Sequence, residues 1–141
     1  MFYLLDTNIV SELRKGPRCH PAVDAWEREE LTPKGGGISV ITIGEIRKGI
    51  ELISKRDKDQ ANRLEDWFQR LVWIFADVLL PVTLDISNEW GRLCAIRPLS
   101  APDALLAATA NVHGLTVATR NIKDFRDIGV RVCNPFEYEI D

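Results

Sequence analysis

The sequence predicts an α/β protein, a three-layer α/β/α sandwich with a parallel sheet of about five strands and helices on both faces. Short apolar runs alternate along the chain with longer segments whose apolar residues recur at helical spacing. The apolar runs are continuous, which is typical of parallel strands buried on both faces. The chain has 141 residues, 45% of them hydrophobic, which predicts one domain over residues 1–141.

The elements follow from these runs in chain order. The predicted strands are residues 2–5, 38–41, 79–84, 115–119 and 130–133. The predicted helices begin with a segment from Asp6 or Thr7 to Lys15, which the following Gly and Pro end. The later helices are residues 21–30, a stripe from residue 42 to the charged connector at 55–58, and residues 59–75, 85–96 and 100–113. The intervening stretch TPKGGG, residues 32–37, is predicted to be a loop.

Composition excludes several classes of protein. The three cysteines, Cys19, Cys94 and Cys133, are widely spaced, which argues against a disulfide framework or a structural zinc site. No apolar run approaches the ~20 residues of a membrane span, and the N-terminus lacks the basic segment of a signal peptide. We therefore expect a cytoplasmic protein with no membrane partner. The net charge of −3 means that nucleic acid would have to be held by local basic patches and metal ions.

Four acidic residues follow or adjoin predicted strand ends: Asp6, Glu45, Asp103 and Asp124. Each one alone has an ordinary explanation, since Asp6 can cap a helix and Asp124 can be a solvated loop residue. Glu45, three residues after Thr42, and Asp103, three residues after Ser100, match the capping-box pattern. Together the four acids indicate a shared ligand-binding cleft, because the carboxyl ends of parallel strands meet at one edge of the sheet, where ligands bind.

Clustered carboxylates with no Cys or His among them suit a hard cation such as Mg²⁺ or Mn²⁺, which indicates metal-assisted phosphoryl chemistry. Asn8 is predicted to orient the Asp6 carboxylate. Thr119 and Asn121 are predicted to position a water or a ligand. The candidate contacts to a phosphate backbone are Arg14, Arg47, Lys48 and Arg120.

Four segments of the chain resemble the PIN-domain ribonucleases in order and spacing. They are LLDTNIVSEL, ISVITIGEIRKGIE, SAPDALLAATA and TVATRNIKDF. The resemblance is to toxins of the VapBC type, and among them to the FitB-like branch. It implies strand order 3-2-1-4-5 and an endoribonuclease that depends on Mg²⁺ or Mn²⁺. The family's acidic positions fall on Asp6, Glu45 and Asp103, which are predicted to hold the metal, chiefly through Asp6 and Asp103. The predicted catalytic residues are these three acids and Asp124.

The resemblance leaves the fourth acidic position open between Asn121 and Asp124. Many relatives carry Asp where this chain has Asn121, whereas others carry the acid just before the Phe, which here is Asp124. The resemblance also implies a cognate antitoxin protein as partner and a homodimer or a larger complex with it. Surplus apolar surface among residues 21–30 and 42–75 is a candidate groove for the antitoxin.

Three other functions remain open from the residues alone. A DNA or flap nuclease could use the same site. A phospho-acceptor domain also places acids at strand ends, but it needs an acidic pair after its first strand, where this chain has Asp6 followed by Thr7. A non-catalytic interaction protein would use all the acids as helix caps.

Overall fold

The computed structural model describes residues 1–140 and contains a parallel sheet of five strands. The strands are β1 Tyr3–Leu5, β2 Gly36–Ser39, β3 Leu79–Leu80, β4 Thr116–Ala118 and β5 Val132–Cys133. They lie in the order β3-β2-β1-β4-β5, and every pairing is parallel. The predicted strand order is confirmed. It places β1 at the centre, so Asp6 follows the strand that has neighbours on both sides.

Helices cover both faces of this sheet. They are α1 Thr7–Leu13, α2 Pro21–Trp26, α3 Thr32–Lys34, α4 Val40–Ser54, α5 Lys58–Ile74, α6 Leu84–Cys94 and α7 Ala101–His113. Successive side chains of β1 point to opposite faces of the sheet. Tyr3 and Leu5 pack in one core with α1, α2, α4 and α5, and Leu4 packs in the other core with α6 and α7. The predicted α/β/α sandwich is confirmed.

The predicted boundary between strand and helix at residues 38–42 is wrong. Strand β2 ends at Ser39, and α4 begins at Val40 because the Ser39 hydroxyl accepts a hydrogen bond from the Ile41 amide and caps the helix. The strand instead starts two residues early, in the stretch predicted to be a loop. Gly36 pairs there with Tyr3. An added Cβ would lie 2.6 Å from Leu31 Cδ1, so a larger residue would require the Leu31 side chain to shift.

Further boundaries differ from the prediction, among them that of β5, which has two residues where residues 130–133 were predicted. Helix α2 ends at Trp26, but the chain stays helical through a π-helical segment, Glu27–Leu31, and through α3. Strand β3 has two residues where six were predicted, because Pro81 has no amide hydrogen for the ladder and Thr83 caps α6. Within residues 1–140 no helix is both long and apolar enough to cross a membrane.

Candidate active site

A cavity of about 540 Å³ opens at the carboxyl edge of the sheet. Asp6 enters it from the end of β1, Glu45 from α4 and Asp103 from the first turn of α7. Asn8 and Asn121 line the same cavity. The topology therefore brings three of the four predicted acids together from three different elements, as parallel strand ends allow.

The Asp6 carboxylate is fixed on both oxygens. Oδ1 accepts a hydrogen bond from the Thr7 amide at 2.7 Å, which caps α1. Oδ2 accepts one from the Thr119 hydroxyl at 2.8 Å and a longer one from the Asn8 amide at 3.4 Å. Asp6 is thus both a helix cap and an oriented carboxylate facing the cavity. Thr119 is fully buried and acts on this carboxylate, whereas it was predicted to position a water or a ligand.

Glu45 is free of the capping role that its sequence position suggested. Because Ser39 caps α4, Thr42 lies inside the first turn and Glu45 lies in the second, beyond the reach of a capping box. Within residues 1–140 its carboxylate forms no hydrogen bond or ion pair with the protein. Glu45 lines this cavity, hereafter the acidic cavity, and also an apolar groove between α1, α4 and α5 that is lined by Ile50, Ile53 and Trp67.

Asp103 sits at the start of α7, where its amide donates to the hydroxyl of the capping residue Ser100 at 3.3 Å. Burial raises the pKa of the Asp103 carboxyl above its usual value, and the carboxylates of Asp124 and Asp6 raise it further. The Ser100 hydroxyl and the Arg97 guanidinium act in the opposite direction. Asp103 therefore carries its charge at a cost that a nearby cation would offset.

The structure places Asn121 and Asp124 differently around this site. Asn121 lines the cavity, and its amide donates to the Thr119 hydroxyl at 3.1 Å. Asp124 lies in the short 3₁₀ segment Ile122–Phe125, outside the cavity lining, where Arg97 donates to its carbonyl oxygen at 2.9 Å. Asp124 still raises the pKa of Asp103, so both residues adjoin the site.

The four predicted backbone contacts have different environments. Lys48 lines the acidic cavity. Arg47 instead forms two hydrogen bonds to Glu65, at 2.6 and 2.8 Å, and lies over the Phe68 ring. Arg14 lies over the Trp67 ring and lines the apolar groove. Arg120, which lies beyond the end of β4, has its guanidinium over the Phe136 ring.

Several cavity residues were not predicted to take part in the site. Thr7, Ile41, Thr42, Ser100, Pro102 and Leu106 also line it. Thr42 and Ser100 carry a sequence signal, since both precede an acid by three residues, but that signal indicated capping. Ile41 carried none, because the apolar pattern placed it in a strand. The Arg97 guanidinium, which holds the backbone at Asp124 and Arg126, also had no local signal.

The donor set can be tested against a metal ion. Within the described range 1–140, no three histidine, cysteine or acidic side chains lie close enough together to hold a metal on their own. Mg²⁺ does not need such a cage, since it keeps several waters and binds one or two carboxylates plus substrate phosphates. Oxygen donors alone, among them Asp103 with its raised pKa, fit Mg²⁺ or Mn²⁺ and do not suit a softer metal.

The fold and the cavity define a class: an α/β/α protein with carboxylates gathered at the carboxyl edge of a parallel sheet. A family model described as PIN domain matches residues 3–130. The chain belongs to the PIN domain family, which confirms the resemblance drawn from the four sequence segments. Membership also argues against the phospho-acceptor alternative.

Comparisons with individual proteins agree. The chain is 35% identical to the VapC ribonuclease Y4jK of Sinorhizobium fredii over 95% of this chain and 97% of that protein. It is similar to the crystal structure of FitAcB from Neisseria gonorrhoeae, with a TM-score of 0.84 and 30% identity over 96% of this chain and 99% of that one. A toxin–antitoxin complex from Klebsiella pneumoniae matches with a TM-score of 0.67 and 31% identity over 98% and 99% of the chains.

Proposed function

We propose that this protein is a metal-dependent endoribonuclease and the toxin of a type II toxin–antitoxin pair. The observation that carries the proposal is the convergence of Asp6, Glu45 and Asp103 on one cavity. The named activity of the Sinorhizobium fredii relative supports ribonuclease chemistry. In this proposal residues 1–141 act as one nuclease domain, in the cytoplasm, where its RNA substrate is found.

In this mechanism different carboxylates bind the metal and accept the proton. Asp6, fixed by Thr7 and Thr119, and Asp103 would hold Mg²⁺ or Mn²⁺. When bound, the ion would supply Lewis-acid polarisation of the phosphate and charge stabilisation. Glu45, with no protein partner in residues 1–140, would orient an attacking water and accept its proton. Attack in line with the P–O3′ bond breaks that bond, so one product keeps the 5′-phosphate and the other leaves as a 3′-hydroxyl after taking a proton from solvent.

Neighbouring groups support these roles. Asn8 and Thr119 keep the Asp6 carboxylate in place, and Asn121 or Asp124 completes the polar wall beside Asp103. Lys48 faces the cavity, so it can contact a phosphate of the bound strand. A single-stranded RNA or a tRNA loop fits best, since such segments leave the backbone accessible.

An antitoxin partner is supported by a second feature. An apolar groove of about 260 Å³ lies between α1, α4 and α5 and is lined by Ile50, Ile53 and Trp67. It shares Thr7 and Glu45 with the acidic cavity. A segment of antitoxin seated there could reach the carboxylates with a basic side chain. The toxin–antitoxin complex from Klebsiella pneumoniae has the same fold. A homodimer within such a complex is part of the proposal.

The first experiment is RNA cleavage by the protein freed of any partner, with Mg²⁺, with Mn²⁺ and with chelator. We expect metal-dependent cutting that Asp6→Asn abolishes, because the amide keeps the size of the side chain but loses its charge. Asp66→Asn is the matched control, since Asp66 is an exposed acid of α5 that lies outside the cavity lining. Single-stranded DNA and a DNA flap, tested in parallel, distinguish the other nuclease functions.

A thermal melt gives an independent reading of metal binding. At about a hundred times its dissociation constant, Mg²⁺ stabilises the fold by about 2.7 kcal/mol, a rise of roughly 8 °C for a chain of this size. Asp6→Asn should lose that rise and Asp66→Asn should keep it. No cutting with either metal, together with no thermal shift, would refute the proposal and favour a non-catalytic interaction protein.

A further inference from the structure

Arg120 is fixed next to the acidic cavity through its backbone. It follows Thr119, whose hydroxyl is bonded to Asp6, and its own amide donates to Asn8 Oδ1 at 3.0 Å. Asn8 in turn reaches Asp6 Oδ2 with its amide group. The backbone of Arg120 is therefore connected to the Asp6 carboxylate in two ways, through the preceding residue Thr119 and through the side chain of Asn8.

The Arg120 side chain extends from this point onto an aromatic ring. Its guanidinium carbon lies 4.4 Å from the centroid of Phe136, within the range of a cation–π contact. The ring of His20 packs edge-on against Phe136 at 5.4 Å. Arg120 is nevertheless exposed, and among residues 1–140 its guanidinium has no carboxylate partner. The Phe136 ring thus supports the guanidinium on one side, and the exposed remainder of the side chain is open to solvent.

Neither Arg47 nor Lys48 combines a flat cationic group with freedom from a carboxylate partner, as Arg120 does. Arg47 is held by Glu65, and Lys48, an exposed residue that lines the cavity, carries a compact ammonium with no flat surface. Helix α4, which carries Lys48, follows β2, whereas Arg120 follows β4, and these strands flank β1 from opposite sides. Lys48 and Arg120 therefore belong to segments that follow strands on opposite sides of Asp6.

We propose that the open face of the Arg120 guanidinium stacks on a base of single-stranded RNA beside the cleaved bond, with Phe136 as the positioning residue that holds the guanidinium flat. The inference rests on the proposed ribonuclease function and names a subsite for it. Bases splayed from a single strand stack on aromatic rings and on Arg guanidinium planes. In the cavity lining itself no aromatic side chain is present, so Arg120 supplies the flat surface that the cavity lacks.

The test compares two oligonucleotides and two substitutions. Binding of fluorescent decauridylate is measured by anisotropy in chelator, so that no strand is cut, beside an oligonucleotide of ten abasic ribose phosphates. Arg120→Lys keeps the charge but loses the plane. It should weaken decauridylate binding about tenfold, the usual effect of losing one stacked base, and leave the abasic strand within about twofold of the unsubstituted chain. Arg70→Ala, an exposed arginine of α5 outside the cavity lining, should change neither.

A second variant tests the platform itself. Phe136→Leu keeps an apolar side chain but removes the ring, and it should also weaken binding to decauridylate more than to the abasic strand. Equal binding of both oligonucleotides by Arg120→Lys and the unsubstituted chain would make Arg120 a phosphate contact or a bystander and would overturn the inference. No RNA binding by the unsubstituted chain would overturn it too. The metal-dependent cleavage assay decides the proposed function separately.

Discussion

Substitution of Thr119 distinguishes an effect on metal binding and catalysis from an effect on stability alone. The Thr119 side chain is fully buried, and its hydroxyl donates a hydrogen bond to Asp6 Oδ2 at 2.8 Å. The same hydroxyl accepts hydrogen bonds from the Asn121 backbone amide at 3.1 Å and from the Asn8 side-chain amide at 3.4 Å. Thr119→Val keeps the shape and removes all three hydrogen bonds. Thr119→Ser keeps all three and removes one buried methyl group. The two variants therefore change different properties of the same position.

The magnitudes follow from these contacts. A hydrogen bond to a charged group contributes about 1.5–3 kcal/mol, so Thr119→Val should lower the free energy of unfolding by about 2 kcal/mol. At roughly 3 °C per kcal/mol for a chain of this size, the melting temperature falls by about 6 °C. Thr119→Ser should cost about 1 kcal/mol for the lost methyl group and the space left behind.

The two variants should differ far more in metal binding than in stability. Loss of a group that orients a metal-binding carboxylate typically costs about 10- to 100-fold in metal affinity or activity. We therefore expect Thr119→Val to lose Mg²⁺ affinity and RNA cleavage to that extent, and Thr119→Ser to retain both. The assay is a Mg²⁺ titration of cleavage rate, run beside urea melts in chelator. Equal Mg²⁺ dependence in the Val and Ser variants would refute the assignment of Thr119 to the Asp6 carboxylate.

Two further predictions concern charge. Burial and the carboxylates of Asp124 and Asp6 raise the pKa of Asp103 in the folded state above its usual value of 3.8. The folded protein therefore holds this proton more tightly than the unfolded chain does. The stability that results is lost as the pH rises from about 3.8 through the raised pKa of the folded state. Asp103→Asn should stop cleavage yet gain stability relative to the unsubstituted chain between acidic and neutral pH, which urea melts in chelator would show; a loss at neutral pH contradicts this. The Arg47 guanidinium lowers the pKa of Glu65 to about 2, so the stability from this pair is present above pH 4.5 and is lost as the pH falls towards 2. Glu65→Gln should remove that acid dependence and leave the Michaelis constant for RNA unchanged, whereas a raised Michaelis constant would show that the pair serves substrate binding.

The sequence by itself determined the layered fold and placed Asp6 at the end of the first strand, whereas the central position of that strand was implied only by the family resemblance. Continuous apolar runs separated by amphipathic segments can be buried only as a parallel sheet covered on both faces. The run FYLL, which is followed by an acid and then by a helix, was predicted as the strand that β1 forms. These signals are local, so they can be read without knowledge of any partner element.

Competing local signals were not resolved by the sequence. Ser39 and Thr42 are both acceptable helix caps, and the run ISVI suits a strand or a buried helix turn. In the structure Gly36 pairs with β1, β2 ends at Ser39, and Ser39 caps α4. That choice released Glu45 from the capping role and directed it to the cavity.

Only the tertiary structure decided which charged groups are available for function. Arg47 and Lys48 are adjacent in the sequence and both basic, yet Glu65, eighteen residues from Arg47, pairs with the arginine and not with the lysine. Arg120 gained its aromatic support from Phe136, on a segment that follows β5. Contacts of this kind join residues far apart in the chain, and the periodicity of side chains along a helix or strand carries no information about them.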